Sequence, residues 1–309
     1  MAILFLAPVE DPELWLVPLR HFLPGREIRV HPAPGQAEDI DIALVAKPPP
    51  GVLAGLPNLK LVCSLWFGVD SLVADPTTPR HVPVIRLIDP IMTLTMTETV
   101  LAHVLAAHKE LHIYRAQQAA RTWRQRPQPR TSQRRVGILG AGELGDAAAQ
   151  ALVDLGFAVE AWGRRPRESG RYPVRTGTDG LAALLARSDI LVVLLPLTDA
   201  TRGILDAAAF AAMPPGAVLI NLGRGPHLDE AALLAALERG PLAHAVLDVF
   251  HEEPLAADHP FWAHPKITLT PHVGAPTDPE SAAAGIAETI RRFEAGEPLG
   301  GRVTFDAGY

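Results

Sequence analysis

The fold class this sequence predicts is α/β, with two doubly wound parallel-sheet domains. Three observations predict it. Short apolar runs alternate with helical patterns along the chain, one glycine cluster falls between such a run and a helix, and 309 residues exceed one typical core. Alternating strands and helices are what a parallel sheet needs, because each connection must travel back along the sheet.

Taken in order, M-A-I-L-F-L-A-P has no basic leader and meets Glu10 and Asp11 at once, so it reads as a buried strand and not a signal peptide. Helical P-E-L-W-L-V-P-L-R-H-F-L follows, then strand-like D-I-A-L-V-A, L-K-L-V-C-S and V-P-V-I-R-L between Pro/Gly turns. From Thr93 to Ala120 neither Gly nor Pro interrupts, which predicts one long helical stretch. Polar R-T-W-R-Q-R-P-Q-P-R-T-S-Q-R-R then reads as an exposed connection. A second series opens at R-V-G-I-L-G, with strands expected near 135–139, 157–162, 189–194, 216–220 and 243–247. Its helices are expected near 143–155, 179–187, 206–212 and 228–238. A last helix from Pro279 to Ala295 precedes strand-like G-R-V-T-F, which is expected to return to the first domain.

Composition narrows the function classes. A chain 48% hydrophobic and 20% charged suits a soluble globular protein, and a net charge of −6 argues against nucleic acid as a partner. No apolar run approaches the roughly 18 residues of a membrane span. Cys63, the single cysteine, permits no intrachain disulfide and fits a reducing, cytoplasmic compartment. H-K-E-L-H at 108–112 sets two histidines at i and i+4 on one helix face. Glu110 is misplaced for a zinc H-E-x-x-H and no third ligand follows, so no metal is predicted. The arginines at 121, 124, 126, 130, 134 and 135 read as a solvated arm or subunit contact with Trp123 as its anchor.

V-G-I-L-G-A-G-E-L-G places Gly140, Gly142 and Gly145 as G-x-G-x-x-G after a strand and at the start of a helix. Gly140 makes the tight turn, Gly142 admits a pyrophosphate and Gly145 lets helix and strand pack, with Glu143 and Leu144 in the first helical turn. About 20 residues on, where a carboxylate often grips the ribose, A-W-G-R-R-P-R carries Arg164 and Arg165. An acid there repels a 2′-phosphate, whereas arginine offers it a fork of charged donors, so NADP(H) is predicted over NAD(H). Three further stretches fall at the carboxyl edge of the second sheet, where such folds bind ligands: I-N-L-G-R-G-P-H-L-D-E, L-D-V-F-H-E-E-P-L and L-T-P-H-V-G. Arg224, flanked by glycines, can bind a carboxylate and polarise a carbonyl. His272 can exchange a proton near neutral pH, and Glu253 can orient the imidazole and favour its charged form.

G-A-G-E-L-G, L-L-P-L-T-D-A-T-R-G, N-L-G-R-G, L-D-V-F-H-E-E-P-L and T-P-H-V-G, in that order, resemble the D-isomer-specific 2-hydroxyacid dehydrogenase family over nearly the full length. Through A-W-G-R-R-P-R and terminal D-A-G-Y the chain is most similar to the NADPH-dependent glyoxylate/hydroxypyruvate reductases. The resemblance implies a Rossmann-like cofactor domain, 101–278, inserted in a flavodoxin-like substrate domain, 1–100 completed by 279–309. It implies Arg224, Glu253 and His272 as catalytic residues, Asn221 and Asp248 near the nicotinamide, and Leu195, Pro196 and Thr201 along the cofactor cleft. It further implies that Phe67, Gly68 and Val69 join Arg224 and His272 in holding a small 2-oxo or 2-hydroxy acid, and that the protein is a homodimer. Trp66 and Phe67 are bulky beside that loop, and Ala46 stands where an aromatic is expected, so both bear on substrate size. Rival expectations are another dehydrogenase of the family and a nucleotide-sensing corepressor without turnover.

Overall fold

The structure, a computed structural model, describes residues 2–166 and 170–308. Arg167 of A-W-G-R-R-P-R and Tyr309 of D-A-G-Y lie outside the described residues. The chain divides into two compact units, Met1–Met92 with Thr277–Tyr309, and Thr93–Pro276.

The first unit runs β1 (Ala2–Leu6), α1 (Pro12–Phe22), β2 (Glu27–Val30), β3 (Ile40–Val45), β4 (Leu61–Ser64), α2 (Asp70–Ala74) and β5 (Val84–Ile85). All its strand pairs are parallel, in the order β2-β1-β3-β4-β5, the doubly wound order of flavodoxin-like folds. The second unit holds most of α3 (Pro90–His108), then α4 (Leu111–Ala119), β6 (Arg135–Leu139), α5 (Glu143–Asp154), β7 (Ala158–Trp162), β8 (Val174–Arg175), α6 (Gly177–Leu185), β9 (Ile190–Val193), α7 (Ala207–Ala211), β10 (Ala217–Asn221), α8 (Glu230–Glu238), β11 (Leu242–Leu247) and β12 (Ile267–Leu269). Its sheet order is β12-β11-β10-β9-β6-β7-β8, the Rossmann order with one strand added. Helix α9 (Pro279–Glu294) returns to the first unit and packs on α1. Beyond it Arg302 bridges Ile85 antiparallel, and the Val303 N–H donates to the Val84 carbonyl at 2.8 Å.

The second sheet is buried on both faces, and strand periodicity sorts its side chains. Ile190 and Val192 enter one core with Val218 and Ile220, while Leu191 and Val193 enter the other with Ala217 and Leu219. Helices α1, α7, α8 and α9 each start at an Asp whose carboxylate accepts a first-turn N–H. The first core gathers Leu4, Leu6, Ala43, Val45 and Val62.

Two expectations need correction. Thr93–Ala120 is not one helix: it stops at His108, and Glu110 adopts φ 53° before α4 restarts. The Glu110 carboxylate is tied to Arg126 and lies 3.7 Å from Arg134, contacts that come from residues far along the chain. Second, α3 does reach the length and mean hydropathy, 1.2, of a membrane span by composition. Its Met96, Val100, Val104 and Ala107, at helical spacing, lie in the core of the second unit.

Candidate active site

The glycine turn is built as the motif requires. Gly140 has φ 112°, and a Cβ there would sit 2.7 Å from the Leu194 carbonyl oxygen, so only glycine lets the end of β6 lie against the segment after β9. A Cβ on Gly145 would overlap the Gly140 carbonyl, which keeps α5 tight on the turn. Gly142, the N-cap of α5, faces open space, and Glu143 beside it is exposed. Leu144 is half-buried against the core. First-turn N–H groups have no intrahelical acceptor, so an open cradle at this helix start fits a pyrophosphate. It lies at the β6/β9 switch point of the strand order. Arg164 and Arg165 are exposed in the turn after β7.

The glycines on either side of Arg224, after β10, are required by packing. A Cβ on Gly225 would overlap the Phe250 carbonyl, and one on Gly223 would meet the His227 ring at 3.0 Å and the Leu195 oxygen at 3.1 Å. Both glycines allow close packing of neighbouring loops. Asn221 is fully buried; its Nδ2 donates to the Arg224 carbonyl at 3.0 Å and its Oδ1 accepts from the Gly223 N–H at 3.2 Å. Arg224 itself turns Nη1 back to the Gly223 carbonyl at 2.7 Å, which fixes the plane of the guanidinium. Thr201 spends its hydroxyl on the Pro196 carbonyl at 2.7 Å, shaping the loop in which Leu195 is buried.

His272 and Glu253 meet. Nδ1 of His272 lies 2.7 Å from Oε2 of Glu253, whose Oε1 accepts the Phe250 N–H at 3.0 Å. The carboxylate is therefore held at both oxygens, and the imidazole, its side chain 48% exposed, is left to present Nε2. Since Gly225 packs on the Phe250 carbonyl, the Phe250–His251 turn links the Arg224 loop to the pair. His272 has φ 52°, a conformation that costs a side-chain-bearing residue about 1–2 kcal/mol. Asp248, buried, supplies the restraint. Its Oδ1 accepts from Thr270 Oγ1 at 2.6 Å and the Val273 N–H at 2.9 Å, and its Oδ2 from the Gly274 N–H at 2.9 Å. No local pattern marks this clamp or the contact of His227 with Pro196, because these partners lie on other loops.

In the first unit, β4 leads into the loop carrying Phe67, Gly68 and Val69. Trp66 is anchored: its indole N–H donates to Glu10 Oε1 at 2.7 Å, while Trp15 donates to Oε2 at 3.0 Å. The Phe67 ring lies under the Arg86 guanidinium, 4.6 Å from the centroid. Ala46 is buried at the end of β3. The histidines of H-K-E-L-H do not share a helix face. His108 sits edge-on against Phe157, and His112 stacks on His244 with centroids 4.4 Å apart. Burial pushes the Cys63 thiol up to about 12, which removes it as a nucleophile.

A glycine turn at a Rossmann switch point, with an arginine and a histidine–carboxylate pair along the same sheet edge, defines a dinucleotide-dependent oxidoreductase. The family model of the NAD binding domain of D-isomer specific 2-hydroxyacid dehydrogenases matches residues 101–274. A glyoxylate/hydroxypyruvate reductase A of Serratia proteamaculans (strain 568) is 41% identical over 314 residues, covering 100% of each chain. A D-isomer specific 2-hydroxyacid dehydrogenase from Xanthobacter autotrophicus Py2, solved with NADPH and MES, superposes with TM-score 0.96 at 42% identity, over 100% of this chain and 99% of that one. An NADPH-dependent glyoxylate/hydroxypyruvate reductase from Sinorhizobium meliloti, solved with NADP and sulfate, does so with TM-score 0.93 at 36% identity, over 100% and 99%. The chain belongs to the D-isomer specific 2-hydroxyacid dehydrogenase family.

Proposed function

We propose that this protein reduces small 2-oxo acids, glyoxylate and hydroxypyruvate foremost, to glycolate and D-glycerate, with NADPH preferred over NADH. The observation that carries the reading is the His272–Glu253 pair joined through one turn to the Arg224 loop. The reductase relatives and the two arginines after β7 support the choice of substrate and cofactor.

The glycine turn and the start of α5 would hold the pyrophosphate, and Arg164 and Arg165 would hold the 2′-phosphate. The chemistry a bound nicotinamide supplies is hydride donation to the carbonyl carbon. Arg224 binds the substrate carboxylate and stabilises charge developing on the carbonyl oxygen. His272, oriented through Nδ1 by Glu253, gives that oxygen a proton from Nε2 and takes it back in the reverse reaction. Such general acid catalysis is typically worth about 10²–10⁴-fold. Asp248 and Asn221 act beneath these groups by fixing their loops. In the first unit, the amides of Gly68 and Val69 are the candidate carboxylate donors beside Phe67. The unit that holds this loop is the substrate-binding domain and the other the dinucleotide-binding domain.

A cytoplasmic homodimer is proposed with it. Trp123, 96% exposed on the arm after α4, is its candidate anchor, and sedimentation at micromolar concentration tests it, with a clean monomer counting against it. The reaction is tested by NADPH and NADH oxidation over a panel of 2-oxo acids. Turnover of glyoxylate or hydroxypyruvate, faster with NADPH, is expected. No NADPH consumption with any 2-oxo acid overturns the reading.

A further inference from the structure

His227 is fully buried, titratable, and unused by the mechanism above. Its ring lies between two loops of the second unit. Nδ1 is 3.0 Å from the Arg224 backbone nitrogen and Nε2 is 3.3 Å from the Pro196 carbonyl oxygen. These partners fix the tautomer: a backbone N–H only donates, so Nδ1 accepts, and a carbonyl only accepts, so Nε2 carries the proton. The His227 N–H also returns to the Arg224 carbonyl at 3.3 Å. Pro196 belongs to the segment that packs on the glycine turn, since a Cβ on Gly140 would sit 2.7 Å from the Leu194 oxygen and 3.1 Å from the Leu195 nitrogen. One ring thus joins the loop carrying the guanidinium to the segment beside the dinucleotide cradle.

We infer that His227 is a positioning residue that couples Arg224 to the 194–196 segment. Its Nδ1 holds the Arg224 peptide in register for a substrate carboxylate, and its Nε2–H joins the Thr201 hydroxyl in holding the Pro196 carbonyl beside the dinucleotide cradle. The inference rests on the proposed roles of Arg224 and of the glycine turn. It requires a neutral ring, because a second proton on Nδ1 would face the Arg224 N–H, donor against donor.

Two near-isosteric variants separate the two bonds. The Asn carbonyl falls near the place of Nδ1 and the Gln amide nitrogen near that of Nε2, so His227→Asn keeps the bond to Arg224 and His227→Gln keeps the bond to Pro196. Steady-state kinetics with glyoxylate and fluorescence titration of NADPH read the outcome. His227→Gln is expected to raise KM for glyoxylate about tenfold with NADPH Kd within about twofold of wild type, an effect the size of one buried hydrogen bond. His227→Asn is expected to weaken NADPH about tenfold and leave KM for glyoxylate within about twofold. Equal effects of both variants on both constants, the reverse pattern, or no effect overturns the coupling. The wild type provides a measurement independent of turnover. In apo protein with ¹⁵N-labelled histidine, the His227 ring should show a bare Nδ1 and a protonated Nε2 near neutral pH, and a doubly protonated ring or the other tautomer overturns it. A wild type that consumes no NADPH would instead defeat the functional reading, which the NADPH titrations and the ring tautomer do not depend on.

Discussion

Replacing Asp248 by asparagine tests whether the fold holds His272 in place by a buried carboxylate. The carboxylate accepts three donors from one loop: the Thr270 hydroxyl, the Val273 N–H and the Gly274 N–H. Asparagine has the same shape but a single acceptor oxygen. If that oxygen serves Thr270 and Val273, the amide NH2 faces the buried Gly274 N–H; if it serves Gly274, the conflict moves to Val273. Hydrogen bonds to a charged acceptor contribute about 1.5–3 kcal/mol each, and an orphaned buried donor costs about 1–3 kcal/mol. Relief from burying a charge offsets part of this, leaving a net loss of about 2–3 kcal/mol. At about 2–4 °C per kcal/mol for a unit of this size, Tm should drop by roughly 4–12 °C. The chemistry should suffer as well, because the clamp holds His272 at its φ of 52°. Once the loop relaxes toward ordinary backbone, the proposed proton donor shifts, and a displacement near 1 Å can cost about 10²-fold. Thermal unfolding and kcat with glyoxylate are the measurements. An Asp248→Asn protein that melts within about 1 °C of wild type and turns over normally would refute the clamp.

Other expected outcomes follow from the same geometry. Arg164→Ala with Arg165→Ala should remove most of the NADPH preference, each lost pairing with phosphate costing on the order of 1.5–3 kcal/mol, as read in kcat/KM for both cofactors; an unchanged ratio would show that the arginines do not discriminate. His272→Ala should lose about 10²–10⁴-fold in kcat yet bind NADPH normally by fluorescence titration, whereas near wild-type turnover would assign the proton elsewhere. Gly225→Ala should impair both kcat and KM, since its methyl group would displace the Phe250 turn that serves Glu253. His244 carries a pH prediction. Burial, then His112, Arg115 and His264, push it down to about 4. The folded ring stays neutral where the unfolded one, near 6.5, takes a proton, so this contribution is full above pH 6.5 and is lost as pH falls toward 4. The effect is on the order of 3 kcal/mol, and His244→Gln should flatten the dependence of urea midpoint on pH in that window; an unchanged slope would count against it.

Much of this architecture is written in local pattern. Strand β9 is a continuous apolar run, and β6, β10 and β11 are nearly so, because both faces of their sheet are covered, and such runs are readable without any partner. Strand β2, E-I-R-V, was not readable: it lies at a sheet edge, its residues are exposed or half-exposed, and two of its four side chains are charged. Strand β8 is two residues long, and β12 three, too short for a period to show. The break at Glu110 left no Gly or Pro because its left-handed backbone accompanies an ion pair with Arg126, sixteen residues on.

The candidate site divides along the same line. Gly140, Gly142 and Gly145 declare themselves by spacing, since their requirement is local backbone geometry and a helix start, and Arg164 with Arg165 by their interval from that turn. Arg224, Glu253 and His272 are legible only as an ordered set, because an arginine, a glutamate or a histidine after a strand is ordinary by itself. What no window of sequence displays is the layer beneath them. Asn221 fixes the Arg224 loop, His227 ties it to Pro196, the Phe250 N–H fixes Glu253, and Asp248 holds the backbone of the loop that bears His272. These bonds join the carboxyl ends of parallel strands, and it is the sheet that makes those ends neighbours. A parallel strand order therefore does more than bury apolar surface. It lets residues scattered over 190–274 restrain one another's loops, so that a histidine in a costly conformation is held by a carboxylate 24 residues earlier in the chain.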